Sequence, residues 1–394
     1  MALYKLTFFS NYLNSRVSVN VTVPKLQSIE DDDRSFPILY LTHGNTDDRS
    51  AWLRNTSAER YADEYGIITV MTSTWSSFGM DMYYGKKYFS YLSEELVPLM
   101  DRLLPVASGR ENHMVAGLSL GGYMGFKLGL VLNDYFGYIG SFSSPVDMID
   151  TINTFYKGDV STDKDFSECF GNLEYMSHWP NDSLAIAKNI VKENLPMPKF
   201  YQECGTEDFT FPLNERCYEH LKEAGYDITY VKRPGTHNWE FWDQALQNFL
   251  KWTEKKKVEF RQKPGIVEKK TYSPVELPKI RLSADLESMA AHGSLDCEMI
   301  LPAQSEADPW KKVKILIHPA DDDFTYWQRK KDLEEIAERD HTVIICPEVY
   351  DSLGKDQEHG RPFGVFVNQE LPFILRYLFG QNREIEVEVT DHIE

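Results

Sequence analysis

Short apolar runs and amphipathic stretches alternate along most of this chain. The segment "SRVSVNVTVP", residues 15–24, alternates β-branched and polar residues with the period of a half-buried strand. "FPILYLTHG" is a continuous apolar run closed by Gly44, the pattern of a strand covered on both faces. "SAERYADEYG" has helical spacing and a stop at Gly66, "IITVMTS" reads as another buried strand, and "KYFSYLSEELVPLMDRLL" as a helix. Strand "HMVAGLS", helix "GGYMGFKLGLVL" and strand "YFGYIGSFSS" follow. An irregular stretch from about 145 to 196 interrupts the rhythm and reads as an insertion that lines or covers a site. Strand "KFYQECG", helix "NERCYEHLKEAG", strand "DITYVKRPG" and helix "FWDQALQNFLKWTE" restore it. Strands and helices taken in turn predict an α/β protein on a mainly parallel, doubly wound sheet.

Residues 257–274, "KVEFRQKPGIVEKKTYSP", are charged, Pro-interrupted and aperiodic, which predicts a linker between a domain of 1–256 and a second of 275–394. The second stretch echoes the first at a constant spacing. His318 and Trp327 stand 275 positions after His43 and Trp52, and Asp322, Asp323 and Arg329 stand 275 after Asp47, Asp48 and Arg54. Glu370 and Leu371 repeat Glu95 and Leu96 in the same register. The expectation is a truncated α/β half-domain resembling the first half of the same fold. It ends in "REIEVEVTDHIE" where the first copy has "ENHMVAGLSLGG", and Pro319 and Ala320 replace Gly44 and Asn45. Such a half-repeat has no nucleophile of its own. Its last strand leaves an open edge suited to pairing with a second chain, giving a homodimer, or to packing on its own first domain.

The chemistry concentrates in "GLSLG", residues 117–121, which follows an apolar strand and opens a helix. That context is what a nucleophile elbow requires: a strained turn exposes the Ser119 hydroxyl, and the flanking positions must be small. A serine needs a base, and the base needs an acid to orient it. In the order that strand–helix hydrolases use, Asp208 and His237 fall at the ends of the two strands after the insertion. Glu207 is the competing carboxylate. Oxyanion donors are expected from the backbone N–H of Leu120 and, across the cleft, of Asn45 or Gly44 in the "THGN" loop. His43 reads as structural. Trp52, Trp75, Phe78 and Tyr83 are candidates for an aromatic substrate wall, with core packing as the alternative, and Trp239 and Trp242 are expected to buttress the histidine.

Together "FFSNYLNSRVSVNVTVP", "THGNTDDRSAW", "AGLSLGGYMG", "GTEDF" and "HNWEFWD" resemble the esterase D/tributyrin esterase family, over residues 1 to about 255. That group also includes S-formylglutathione hydrolases, acetyl and feruloyl esterases, and mycolyltransferases. The resemblance implies an α/β-hydrolase fold, a Ser119–His237–Asp208 triad and hydrolysis of short acyl or carbohydrate-borne esters. The insertion departs from the family pattern, so the substrate does not carry over with the fold. Acyl transfer or thioester hydrolysis with the same triad, and a non-catalytic binding module, are the alternative readings.

The formal charge of −19 opposes binding to nucleic acid or to anionic membranes. Five scattered cysteines with no CxxC pair suit reduced thiols. The N-terminus "MALYKLTFFSNYLNSR" reads as a first strand and not a signal peptide. No run approaches the roughly 18 apolar residues of a membrane span. The expectation is a cytoplasmic protein with a small-molecule ester as partner. No metal-ligand spacing, dinucleotide fingerprint or phosphate loop appears, so no metal and no cofactor is expected.

Overall fold

A computed structural model describes residues 2–24, 35–161, 163–171, 173–176, 180–253, 278–288, 290, 293–304, 309–356, 361–379 and 385–394. The linker expected over 257–274 lies outside the described residues. Among the described residues, thirteen strands form one sheet. In chain order they are β1 (Ala2–Ser10), β2 (Ser15–Val23), β3 (Ile38–Thr42), β4 (Ile68–Thr72), β5 (His113–Leu118) and β6 (Tyr138–Phe142). Then come β7 (Lys199–Gly205), β8 (Ile228–Arg233), β9 (Ile280–Ser288), β10 (Gly293–Leu301), β11 (Lys312–Leu316), β12 (Thr342–Pro347) and β13 (Glu386–Thr390). The order across the sheet is β13-β11-β12-β10-β9-β1-β2-β4-β3-β5-β6-β7-β8.

The block β4-β3-β5-β6-β7-β8 is parallel throughout. Its central strands are the continuous apolar runs of the sequence, and every residue of β3, β4 and β5 is buried. Helices cover both faces. The helix Trp239–Trp252 puts Ala245, Leu246, Phe249 and Leu250 onto Leu39, Leu41, Met114 and Ala116 of one face. On the other face, Phe126, Leu128 and Leu130 of the helix Leu120–Val131 pack with Tyr40, Val70 and Val115. The insertion forms helices Met148–Tyr156, Lys164–Phe170, Leu173–Met176 and Ser183–Lys192. The second packs Phe166 and Phe170 around Phe78, and Met148 and Ile152 of the first join the same small core.

The sheet does not stop at β1. β9 pairs with β1 antiparallel, from Leu3↔Asp285 to Phe8↔Ile280, so the C-terminal strands continue the N-terminal ones edge to edge. The apolar pattern of residues 280–288 carries no local sign of this joint, and it is β9, not the last strand β13, that meets the first unit. Among the described residues, no helix is long and apolar enough to cross a membrane.

Candidate active site

The parallel block runs its strand ends toward one rim, and the loops there gather the candidate residues. Ser119 sits between β5 and the helix Leu120–Val131 at φ +50°, ψ −130°. That backbone conformation is costly for a residue with a side chain, on the order of 1–3 kcal/mol. The turn is possible because its neighbours are small. A Cβ on Gly117 would meet the Gly121 carbonyl oxygen at 2.4 Å, and one on Gly121 would meet the His43 carbonyl oxygen at 2.4 Å. The turn lifts the Ser119 hydroxyl clear of the sheet.

His237 follows β8, one residue before the Asn238 cap of helix Trp239–Trp252, whose side chain accepts the Phe241 N–H at 3.0 Å. Its Nε2 lies 3.0 Å from Ser119 Oγ, and its Nδ1 lies 2.9 Å from Asp208 Oδ2. Burial alone would raise the Asp208 carboxyl. The bonds from His237 and from the Thr210 N–H and hydroxyl outweigh it and hold the carboxyl below its usual range. Both Thr210 groups reach Asp208 Oδ1, each at 2.8 Å. Thr210 is itself held by Asn214, whose Nδ2 donates to its hydroxyl at 3.2 Å and to its carbonyl at 3.0 Å. Gln202 in turn donates to Asn214 Oδ1 at 2.8 Å. This buried polar chain was not read from the sequence; Thr210, two residues past the acid in "TEDFT", was the available signal.

Glu207 turns the other way. Its Oε2 accepts the Gly235 N–H at 2.5 Å, which holds it low at the surface and leaves Asp208 as the carboxylate on the histidine.

Gly44, Asn45, Leu118, Ser119 and Leu120 line one cleft with His237, and Asp208 reaches it only through the histidine. Gly44 packs so closely that an added Cβ would lie 2.7 Å from Leu118 Cδ1 and 3.5 Å from Ser119 Cβ. His43 stays behind the loop, buried, with burial lowering its basicity. Its Nε2 accepts the Thr74 N–H at 3.0 Å, so Nδ1 carries the proton donated to the Gly44 carbonyl at 2.7 Å. His43 therefore braces the loop that carries the Gly44 and Asn45 N–H groups. Ionising Ser119 against His237 and receiving charge on an oxygen beside Leu120 and Gly44–Asn45 is chemistry this arrangement can do.

The aromatic wall differs from the expected one. Trp52 is buried beneath the cleft because its Nε1–H donates to the Thr42 carbonyl at 3.1 Å. Phe78 is buried in the insertion's own core, Tyr83 packs against Gly171 and Tyr175, and Trp75, 69% exposed, does not line the cleft. The wall is made instead by Phe155, Tyr156 and Phe166 from the insertion, with Phe209, Trp239 and Trp242 from the triad loops. Phe209 and Trp242 flank the His237 ring at centroid distances of 4.6 and 4.8 Å. The cavity measures about 670 Å³, and among the described residues no lysine or arginine lines it. Among the described residues, no cluster of three or more His, Cys, Asp or Glu could hold a metal ion.

Known proteins resemble this chain. An acetyl esterase of Caldicellulosiruptor saccharolyticus is 26% identical over 264 residues, covering 65% of this chain and 99% of the relative. Among solved structures, the substrate-bound fluorophosphonate-binding serine hydrolase FphF of Staphylococcus aureus superposes with a TM-score of 0.57 at 25% identity, covering 64% of this chain and 98% of that one. The S-formylglutathione hydrolase FrmB of the same organism does so at 0.56 and 25%, over 64% and 99%. The family model described as "Putative esterase" matches residues 10–253, and the chain belongs to that family of α/β-fold serine hydrolases acting on ester bonds.

Proposed function

We propose that the cleft hydrolyses short-chain carboxylic esters of uncharged alcohols through an acyl-enzyme on Ser119. The observation that carries this reading is the single line of contacts from Asp208 through His237 to Ser119 Oγ at 3.0 Å, on a turn strained toward the cleft. His237 Nε2 takes the hydroxyl proton as Ser119 Oγ attacks the carbonyl carbon. The N–H groups of Leu120 and of Gly44 or Asn45 receive the oxyanion. His237 then returns the proton to the leaving alcohol, and water repeats the sequence to free the acid. Asp208 holds the imidazole in the tautomer that presents Nε2 and balances its charge when protonated.

The acetyl esterase relative supports a short acyl group. The cleft walls favour an uncharged alcohol portion: among the described residues they are largely aromatic, with no lysine or arginine and with Asp47, already paired to Arg54, as their carboxylate, and they belong to a chain of formal charge −19. Glutathione thioesters bring carboxylates that would find no cation there, so the thioesterase reading is second, and acyl transfer third. The five cysteines are buried free thiols, which suits a reducing cytoplasm.

The test is hydrolysis of p-nitrophenyl acetate, butyrate and octanoate by wild type and Ser119→Ala. Activity falling with chain length and lost in the variant is expected. Equal rates in the two proteins would remove Ser119 from the mechanism.

A further inference from the structure

The ladders of residues 280–390 repeat those of residues 2–118 strand for strand. β1-β2-β4-β3-β5 reads outward on one side, and β9-β10-β12-β11-β13 on the other. The registers repeat too. Ser10↔Ser15 recurs as Ser288↔Gly293, both partners 278 positions later. Val19↔Thr72 recurs as Cys297↔Pro347, Ile38↔Ile68 as Val313↔Val343, and Ile38↔His113 as Val313↔Val387.

Side chains follow. His318 Nδ1 lies 2.8 Å from the Pro319 carbonyl and Nε2 accepts the Val349 N–H at 3.1 Å, as His43 does with Gly44 and Thr74. Trp327 donates to the Ile317 carbonyl at 3.0 Å as Trp52 does to Thr42. Ser288 donates to Glu370 as Ser10 does to Glu95. Even the costly backbone positions recur: Trp75 and Phe78 at φ +50° and +54°, Tyr350 and Leu353 at +49° and +54°.

The joint between the two sets is itself symmetric. Lys5 faces Ser283, its own counterpart 278 positions on; Leu3 faces Asp285 and Thr7 faces Arg281, each the counterpart of the other's partner. Exchanging the two strands maps the ladder onto itself, which is how an isologous two-fold relates two copies of one subunit. Tyr4, Leu6 and Phe8 share a buried apolar cluster with Ile280, Leu282 and Ala284 along it.

We infer that residues 280–394 are an internal copy of the esterase unit's first half that occupies the β1 edge in the place of a second subunit, so that this chain is a monomer built around a dimer's interface. The sequence left the edge of the last strand open between a homodimer and the chain's own first domain; it is β9, not β13, that makes a pairing within the chain. Changes elsewhere in the copy agree with that role. The face that helix Trp239–Trp252 covers in the first unit presents Leu39 and Met114; the copy has Lys314 and Glu388 there, paired at 3.5 Å. Glu386 and Glu388 also place charge on the outer strand β13, which opposes pairing with a further chain. Pro319 stands where Gly44 serves the cleft, and proline has no N–H to give an oxyanion.

Sedimentation equilibrium and hydrogen exchange on the full chain test this together. The mass should stay at 45.7 kDa across micromolar concentrations. The amides of β1 should exchange within about tenfold of those of β2, as paired strands do. A dimeric mass, or β1 amides exchanging far faster than β2 amides in the monomer, would overturn the inference. Ser283→Pro, at the centre of the joint, should speed exchange in β1 and shift the mass toward a dimer as the freed edge self-pairs. A folded variant with open β1 amides that stays monomeric would also overturn it, and an unfolded variant leaves the decision to the native chain.

Discussion

Replacing Thr210 with valine tests how the triad carboxylate is held. The side chain is buried, and its hydroxyl donates to Asp208 Oδ1 at 2.8 Å while the Thr210 N–H reaches the same oxygen at 2.8 Å. Valine keeps the shape and the N–H and removes only the hydroxyl. Asn214 keeps its bond to the Thr210 carbonyl at 3.0 Å, while the hydroxyl's longer contacts with the Asn214 amide and the Ser143 carbonyl, each at 3.2 Å, are lost with it. A hydrogen bond to a charged, buried group contributes about 1.5–3 kcal/mol. Felt in the transition state, that loss lowers kcat/KM by roughly ten- to a hundredfold, since 1.4 kcal/mol is about tenfold. The fall should lie in kcat with KM little moved, because the Thr210 hydroxyl is bonded to Asp208. Steady-state hydrolysis of p-nitrophenyl acetate measures both constants, and Thr210→Ser, which restores the hydroxyl, should recover most of the activity. A folded Thr210→Val enzyme with unchanged kcat, or one in which serine fails to rescue, would refute the positioning role.

Three further outcomes follow from particular contacts. Asp208→Asn should cost about 10⁴ in kcat through loss of the correct imidazole tautomer, whereas Glu207→Gln, whose carboxylate faces Gly235, should leave kcat within about threefold, well under the roughly 1.4 kcal/mol of a tenfold change; comparable losses would mean the two carboxylates were assigned the wrong way round. Gly44→Ala should lower kcat by about 10–10² with native-like circular dichroism, as the added methyl meets Leu118 Cδ1 at 2.7 Å and shifts the loop that offers its N–H groups; full activity would remove that loop from the oxyanion site. Lys127 is fully buried over the Phe89 and Tyr123 rings, its Nζ has no hydrogen-bond partner among the described residues, and burial brings it down to about 7 from the 10.5 of a free lysine. The unfolded chain therefore binds more protons between roughly pH 7 and 10.5, and stability should rise with pH across that window. Lys127→Met should abolish the rise in urea-unfolding free energy and be more stable than wild type at pH 6 by a few kcal/mol; the same slope in both proteins would contradict the assignment.

The parts of the site legible in the sequence are those set by local pattern. Ser119 lies where an apolar run meets a helix through two glycines, and Asp208 and His237 lie at the ends of apolar strands in chain order, so periodicity placed them on one rim. The aromatic wall was not legible, because it depends on where the insertion's helices land. Trp52 and Phe78 are aromatic like Phe155 and Phe209, and it is tertiary contacts, among them a hydrogen bond to the Thr42 carbonyl and a stack on Phe170, that hold the first two away from the cleft. The repeat could be seen as a spacing of 275, but the β1–β9 ladder joins residues far apart in the chain, and no local signal specifies that edge.

The measurement that bears most directly on the esterase reading is covalent labelling by a fluorophosphonate, followed by mass spectrometry of the intact chain and its peptides. One phosphonyl group on the peptide carrying Ser119, formed quickly by wild type and slowed about 10²-fold or more by His237→Ala, is the result expected of a serine activated by the base 3.0 Å from its hydroxyl. A folded wild-type protein that takes no label, or takes it at another residue, would contradict the triad and with it the proposed function.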